Sequence, residues 1–180
     1  QHITWQRTPN TGLIVTYDTN SNGSIHPGRK SPIGERSARW ALSEVYRYKS
    51  DGGRKELEWM GPVYESHKIS NGKIVINFAE KTSRGLRLDQ DVEVGFYIAG
   101  EDREFHEARA RVDSGKGTVI VWHEDIVKPV AVRYAFSNLP CGGLMNAREI
   151  PAYPFRTDNW PITPHQSTGS YLVKEAFGPK

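Results

Sequence analysis

The apolar positions of the first sixty residues follow two different rules. Leu13-Ile14-Val15-Thr16-Tyr17 is a short continuous apolar and β-branched run. It lies between Thr11-Gly12 and the turn-forming stretch Asp18-Thr19-Asn20-Ser21-Asn22-Gly23, so it predicts a buried strand running into a loop. That loop carries Ser24-Ile25-His26-Pro27. The spacing then changes to threes and fours. Ala38, Ala41, Leu42, Val45 and Tyr48 recur on one face, while Arg36, Arg39, Ser43, Glu44 and Arg47 largely occupy the others, which predicts a helix over 31–48. Ser31 is placed to act as N-cap, and Pro32 suits the first helical position, where a missing N–H costs nothing. Ser50-Asp51-Gly52-Gly53 supplies residues that tolerate left-handed dihedrals and ends the helix.

From Gly61 the period drops to two. Lys73–Phe78 reads as a strand preceded by the hairpin dipeptide Asn71-Gly72. Val92–Ile98, Ala108–Val112, Thr118–Trp122 and Val130–Phe136 follow, with Gly or Pro between them. Short strands at this spacing predict an all-β sandwich or half-barrel. Residues 161–180 are rich in polar and turn residues and read as an extended tail. Helix and strand do not alternate after residue 60, so the chain does not supply a complete doubly wound sheet. The fold class expected is α+β.

Composition narrows the reading. A length of 180 residues corresponds to about one domain, or one plus a fragment, and suffices for a real core. The 17 Gly and 11 Pro exceed average usage and fit a turn-rich, strand-rich chain. Cys141 is the single cysteine, which excludes a disulfide scaffold and leaves a secreted location open. No stretch approaches the ~20 apolar residues of a membrane helix. No signal peptide is visible at Gln1, and a first residue other than Met is what a processed or cut product would have. The net charge of +3 is spread among interspersed charges such as Glu101-Asp102-Arg103-Glu104. A nucleic-acid binder concentrates positive charge on one face, so this pattern argues against such a partner.

His26 is the strongest candidate for chemistry. It follows the expected strand and precedes the helix, and Pro27 disfavours α conformation at His26 itself. A histidine at the carboxyl end of a strand can relay a proton near neutral pH; the alternative is a surface histidine in a turn. Asp18, directly after the strand, could orient an imidazole or simply make an Asx-turn. The nucleophile is not evident. No Gly-x-Ser-x-Gly elbow occurs, Ser24 reads as a loop residue, and Asp113-Ser114-Gly115-Lys116-Gly117 reads as a hairpin turn. His2, His26, His67, His106, His123 and His165 form no His-x-x-x-His pair, and one cysteine makes no zinc ribbon, so no metal is expected. His123-Glu124-Asp125 reads as a strand-end turn. Asp89 and Asp91 lack an apolar pocket signal for glycosidase chemistry. No phosphate-cradling or dinucleotide-binding glycine pattern is present, and no cofactor is implied. Trp5, Trp40, Trp59, Trp122 and Trp160 are expected mostly to pack, with one facing a site as the minority case.

Taken in order, these motifs resemble a known family. Thr16-Tyr17-Asp18, Ser24-Ile25-His26-Pro27-Gly28-Arg29-Lys30, Gly34-Glu35-Arg36 and Ala41-Leu42 resemble the last strand–loop–helix of the sialate O-acetylesterases. These belong to the GDSL/SGNH-type α/β hydrolases, with related acetylxylan esterases. Gly61-Pro62-Val63-Tyr64 resembles the opening of that family's β module. Ala99-Gly100-Glu101-Asp102, Pro129–Phe136, Leu144-Met145-Asn146 and Ile150–Asp158 are similar to later parts of it. The resemblance spans roughly residues 9–160. It implies an SGNH-type terminal segment over 1–60, a β-sandwich-like module over 61–160 and a tail over 161–180. The implied activity is serine-type removal of acetyl groups from sugar hydroxyls of the sialic acid type. His26 would be the general base and Asp18 the nearest carboxylate to orient it. Gly23 stands where many relatives carry the acid, so a carboxylate outside the chain is the other option. The family's Gly-Gln-Ser-Asn block is absent here. The expected partners are therefore an O-acetylated sugar and the N-terminal half of the same esterase, with no nucleic acid and no membrane. The isolated chain is expected to be inactive. A secreted, periplasmic or lysosomal location goes with the resemblance. The rival reading is a non-catalytic carbohydrate-binding or scaffold module using Trp122.

Overall fold

A computed structural model describes residues 1–19, 26–89, 95–136 and 142–161. The fold is α+β. Helices α1 (His2–Arg7) and α2 (Ser31–Trp40) precede the strands β1 (Lys55–Glu56), β2 (Tyr64–Ser70), β3 (Lys73–Phe78), β4 (Arg87–Leu88), β5 (Phe96–Ala99) and β6 (Phe105–Glu107). Strands β7 (Arg109–Asp113), β8 (Thr118–Trp122), β9 (Ala131–Tyr134), β10 (Leu144–Met145) and β11 (Phe155–Arg156) complete the described set.

Alternation builds the centre of the first sheet. Ile74, Ile76 and Phe78 of β3 point inward, as do Val119 and Val121 of β8, and the register pairs Ile74 with Val121 and Ile76 with Val119. These strands lie at the centre of an antiparallel sheet ordered β2-β3-β8-β7. A second antiparallel sheet, β11-β9-β5-β6, pairs Phe96 with Tyr134 and Ile98 with Val132. The inward side chains of both sheets share one apolar cluster, with Leu144 of the β10–β4 ribbon among them, so the module is sandwich-like. Asn71 and Gly72 both adopt positive φ, 50° and 70°, as a two-residue hairpin of the primed type requires. The Asp113–Gly117 segment turns β7 into β8, with Lys116 N–H donating to the Asp113 carbonyl.

The strands expected at Lys73–Phe78 and Thr118–Trp122 form with those bounds. The one expected at 108–112 shifts to Arg109–Asp113, and that at 130–136 shortens to Ala131–Tyr134. Of Val92–Ile98, residues 92–94 lie outside the described residues, and the strand runs from Phe96 to Ala99. Cys141 and residues 162–180 also lie outside them. Strand β2 gives no alternation signal because it is a mostly exposed edge, Tyr-Glu-Ser-His-Lys-Ile-Ser, where polar side chains discourage further pairing. Helix α1 was not anticipated; aromatic stacking holds it, with His2 and Trp5 both stacked on Tyr153.

Two expectations for the front segment are corrected. Residues 11–16 run without bend or turn but pair with no described strand, and Tyr17–Thr19 forms a 3₁₀ turn. A ladder needs a neighbour, and side chains bond this backbone instead. The helix runs as α2 to Trp40, continues through one π-helical turn over Ala41–Val45, and stops before Tyr48. Ser31 is its first helical residue rather than its cap, and donates to Glu35 Oε1 at 2.8 Å. The expected apolar face is not the buried one: Ala38, Leu42 and Val45 are exposed, and Arg36 is the buried residue of α2.

Tyr17 fastens this segment to the module. Its hydroxyl donates to the Ala152 carbonyl at 2.9 Å and lies 3.1 Å from the hydroxyl of fully buried Tyr134. Tyr134 Oη in turn accepts from Leu144 N–H at 2.9 Å. Gly142, at φ +109°, passes where a Cβ would lie 2.7 Å from that same oxygen. Tyr153 adds a hydrogen bond from its hydroxyl to the Leu13 carbonyl. Burial pushes the Tyr153 phenol well up, so it remains a donor across the physiological range. Asn146, almost fully buried, is saturated: its amide donates to Met60 and Thr82 carbonyls and its oxygen accepts from Arg148 and Ile150 N–H.

Just after β11, the side chain of Asp158 is 1% exposed and takes a two-pronged bond from Arg133, at 2.8 and 2.9 Å. The guanidinium hydrogen bonds hold its carboxyl below the ordinary 3.8, against the opposing effect of burial.

Both contacts are open to mutation. Tyr17→Phe leaves the buried Ala152 carbonyl without its donor and lowers unfolding stability by about 1–3 kcal/mol, read in urea or by calorimetry. For Asp158, the unfolded chain binds the proton more readily than the folded one. Its contribution is therefore complete above the unfolded pKa and drains away as pH falls through and below 3.8. Asp158→Asn flattens the stability–pH curve in that window, and an unchanged acid limb would contradict the assignment.

Candidate functional site

His26 sits in a bend on the surface, followed by half-buried Pro27 and then by α2 from Ser31. The residue is exposed. Ser24 and the rest of 20–25 lie outside the described residues.

The stems of this loop are clamped by one side chain. Arg36, 7% exposed, donates from Nη1 to the Val15 carbonyl at 2.6 Å and to Asp18 Oδ1 at 2.7 Å. Its Nη2 donates to Asp18 Oδ2 at 2.6 Å. A planar fork meeting a planar carboxylate is the strong form of this interaction. One helical turn on, Trp40 lies against Gly12; a Cβ on Gly12 would fall 2.5 Å from the indole ring. Glycine is needed here because backbone and indole touch. Arg36 and Trp40 thus lay α2 along residues 12–18. Asp18 meets this clamp with both oxygens, each retaining a lone-pair direction for a further donor.

A polar groove of about 360 Å³ opens between α2 and the β4–β10 region. Asp18, Arg29, Arg36, Arg39, Arg87 and Arg148 are among its lining residues, and His26 is not. Arg87 pairs with Glu149 at 2.9 Å and Arg148 with Glu58 at 3.5 Å, so its charge is largely internally compensated. A larger cavity, about 650 Å³, lies among Lys55, Glu58, Lys81 and Arg84 and shares only Arg148 with the groove. It touches neither Asp18 nor His26.

The other singled-out residues fall elsewhere. Trp59 is buried and donates to Glu44 at 2.8 Å, Trp5 stacks on Tyr153, and Trp160 packs near Phe105. Lys73 Nζ lies 5.1 Å over the Trp122 ring, against one of its two faces. His123 Nδ1 accepts from Asp125 N–H at 3.1 Å, the closure of a strand-end turn, and its ring lies 5.5 Å from that of His106. Among the described residues no three His, Cys, Asp or Glu side chains gather as metal ligands.

Arg36 is the residue that pattern reading missed. It falls on the face opposite Ala38 and Val45, so periodicity assigns it to solvent. The only sequence hint was the pairing of an arginine with an aspartate 18 positions earlier, a separation too long for any local rule. Arg36→Met leaves Asp18 and the Val15 carbonyl without this donor and is expected to cost about 2–3 kcal/mol. Arg36→Lys recovers only part of that loss, because an ammonium cannot reproduce the fork. An Arg36→Lys variant as stable as the parent chain in urea unfolding would contradict the bidentate reading.

No family model and no curated protein matches this chain. Among solved structures it is similar to a carbohydrate acetylesterase from Xanthomonas citri. The identity is 34% and the TM-score 0.67, over 79% of this chain and 31% of that one. The chain thus spans just under a third of that neighbour's length, and over that stretch it is related in sequence and structure to a carbohydrate esterase.

Proposed function

We propose that this chain is part of a serine-type carbohydrate O-acetylesterase and that His26 is its general base. The likeness to a carbohydrate acetylesterase over 79% of the chain carries the reading. The surface position of His26 is compatible with it. The substrate class is an O-acetylated sugar of the sialic acid type. The serine and the oxyanion donors come from the portion of the esterase upstream of this chain.

In the assembled site His26 takes the serine proton as the serine oxygen attacks the acetyl carbonyl. The tetrahedral intermediate collapses, the sugar oxygen leaves, and the imidazolium returns the proton to it. Water then attacks the acetyl-enzyme, giving its proton to His26, and acetate departs as serine is regenerated. Asp18 is the proposed orienting carboxylate, set in place by Arg36 and offering its remaining lone pairs to the imidazole.

The isolated chain is expected to release no acetate from acetylated sialic acid above the buffer rate. Joined to the serine-bearing portion, it is expected to turn over, and His26→Ala to lower kcat by roughly 10³-fold or more with KM little changed. Measurable turnover by the pure 180-residue chain, or an assembled His26→Ala enzyme that keeps its rate, would overturn the assignment.

A further inference from the structure

Ile74 and Ile76 of β3 and Val119 and Val121 of β8 turn into the core, so the residues between them form the outer face of the first sheet. The register sets that face in rows. One row runs Lys68, Val75, Ile120 and Arg111, from one edge of the sheet to the other. In the next, Trp122 lies opposite Arg109, with Lys73 Nζ over its ring. Lys68, Lys73, Arg109 and Arg111 are exposed, and Val75, Ile120 and Trp122 are half-buried, so the face is open to solvent. Neighbouring strands lie about 4.8 Å apart, which sets the backbones at Lys68 and Arg111 about 14 Å from each other across an apolar floor. The charge here is not balanced from within. Arg109 pairs with Glu124 at 3.1 Å, and Asp113, one row beyond Ile120, lies 4.0 Å from Lys116. Lys68 and Arg111 form no ion pair among the described residues. The second sheet treats its outward arginines differently: Arg133 and Arg156, paired across β9 and β11, both face the Asp158 carboxylate, at 2.8 and 3.6 Å.

We propose that the outer face of the first sheet binds an acidic polysaccharide, a chain of sugars that carry carboxylates, apart from the chemistry at His26. None of the residues of this face lines the groove beside Asp18. Carboxylates meet the free cations Lys68 and Arg111, the arginine as a planar fork. Sugar rings lie on the floor of Val75, Ile120 and the Trp122 indole, whose apolar body takes their C–H faces. An open, flat face suits a polymer, since a single small ligand is held by a concave pocket. Exposed ion pairs are individually weak, so a repeating carboxylate that engages several cations at once is the ligand that gains from this spacing. The choice of a glycan among polyanions rests on the esterase reading above. Sialic acid and uronic acid polymers share the required chemistry, and the test separates them.

The test passes the 180-residue chain over immobilised polysialic acid, polygalacturonic acid, neutral dextran and single-stranded DNA, and reads affinity by surface plasmon resonance. The expected result is retention by an acidic glycan and none by dextran, with the glycan retained naming the sugar acid, and with added salt weakening the interaction. Lys68→Gln together with Arg111→Gln weakens it about tenfold and leaves the unfolding midpoint unchanged, because both side chains lie in solvent. Trp122→Leu, which keeps an apolar residue and removes the ring, also weakens it. Lys55→Gln together with Arg84→Gln removes the same charge at the larger cavity and leaves affinity unchanged. Retention by neither acidic glycan overturns the proposal. So does an equal loss in the Lys55 and Arg84 variant, which would make net charge the cause, or DNA held as tightly as the glycans. Unchanged affinity with new self-association in the Lys68 and Arg111 variant overturns it too, since those cations would then only guard the sheet edges. No readout involves acetate release. Failure here leaves the assignment of His26 standing, and an inactive assembled enzyme leaves this surface standing.

Discussion

A buried guanidinium must have its donors satisfied, and in this chain Arg36 meets that requirement by reaching back across eighteen residues. The consequence is geometric. Asp18 stands at one end of the His26 loop and Arg36 just beyond the other, so a single fork closes the loop's stems. Closing them in the folded state lowers the entropy left for later ordering.

The clamp would be useless on a loose support. Tyr17, the neighbour of Asp18, is tied through its hydroxyl to Ala152 and Tyr134, and Tyr134 is fully buried between the sheets. Tyr153 holds Leu13 from the same side. The apolar cluster of the sandwich therefore fixes the Asp18 stem, and Arg36 transmits that position to α2. The polar links from the front segment to the module gather at Tyr134, Ala152 and Tyr153.

Much of the β module was legible because alternation is a local signal. Lys73–Phe78 puts every second side chain in the core, Val119 and Val121 meet them from the neighbouring strand, and Asn71-Gly72 has one turn it favours. What was not legible depended on a partner elsewhere in the chain. Tyr64–Ser70 is a strand only because β3 lies beside it. Leu13–Tyr17 has the composition of a strand and fails to become one because no described strand lies alongside. For the site, His26 and Asp18 could be singled out by position, but the roles came from the resemblance, since spacing alone fits a turn equally well. Arg36 was hidden because a periodicity argument sorts residues by polarity, whereas the fork buries a charge by pairing it.

Helix α2 reverses the usual relation of pattern to burial for the same reason. Its sequence is amphipathic as written, with Ala38, Leu42 and Val45 on one side, yet that side faces solvent while the charged side is anchored. Patterning and burial disagree here and agree along Lys73–Phe78. Local sequence and global packing are expected to agree in a chain selected to fold, and in this helix the buried ion pair, not the apolar stripe, decides which side is anchored. The sandwich satisfies its own pattern. Helix α2 is set by the Arg36 fork instead, and the same fork holds Asp18 at one end of the His26 loop.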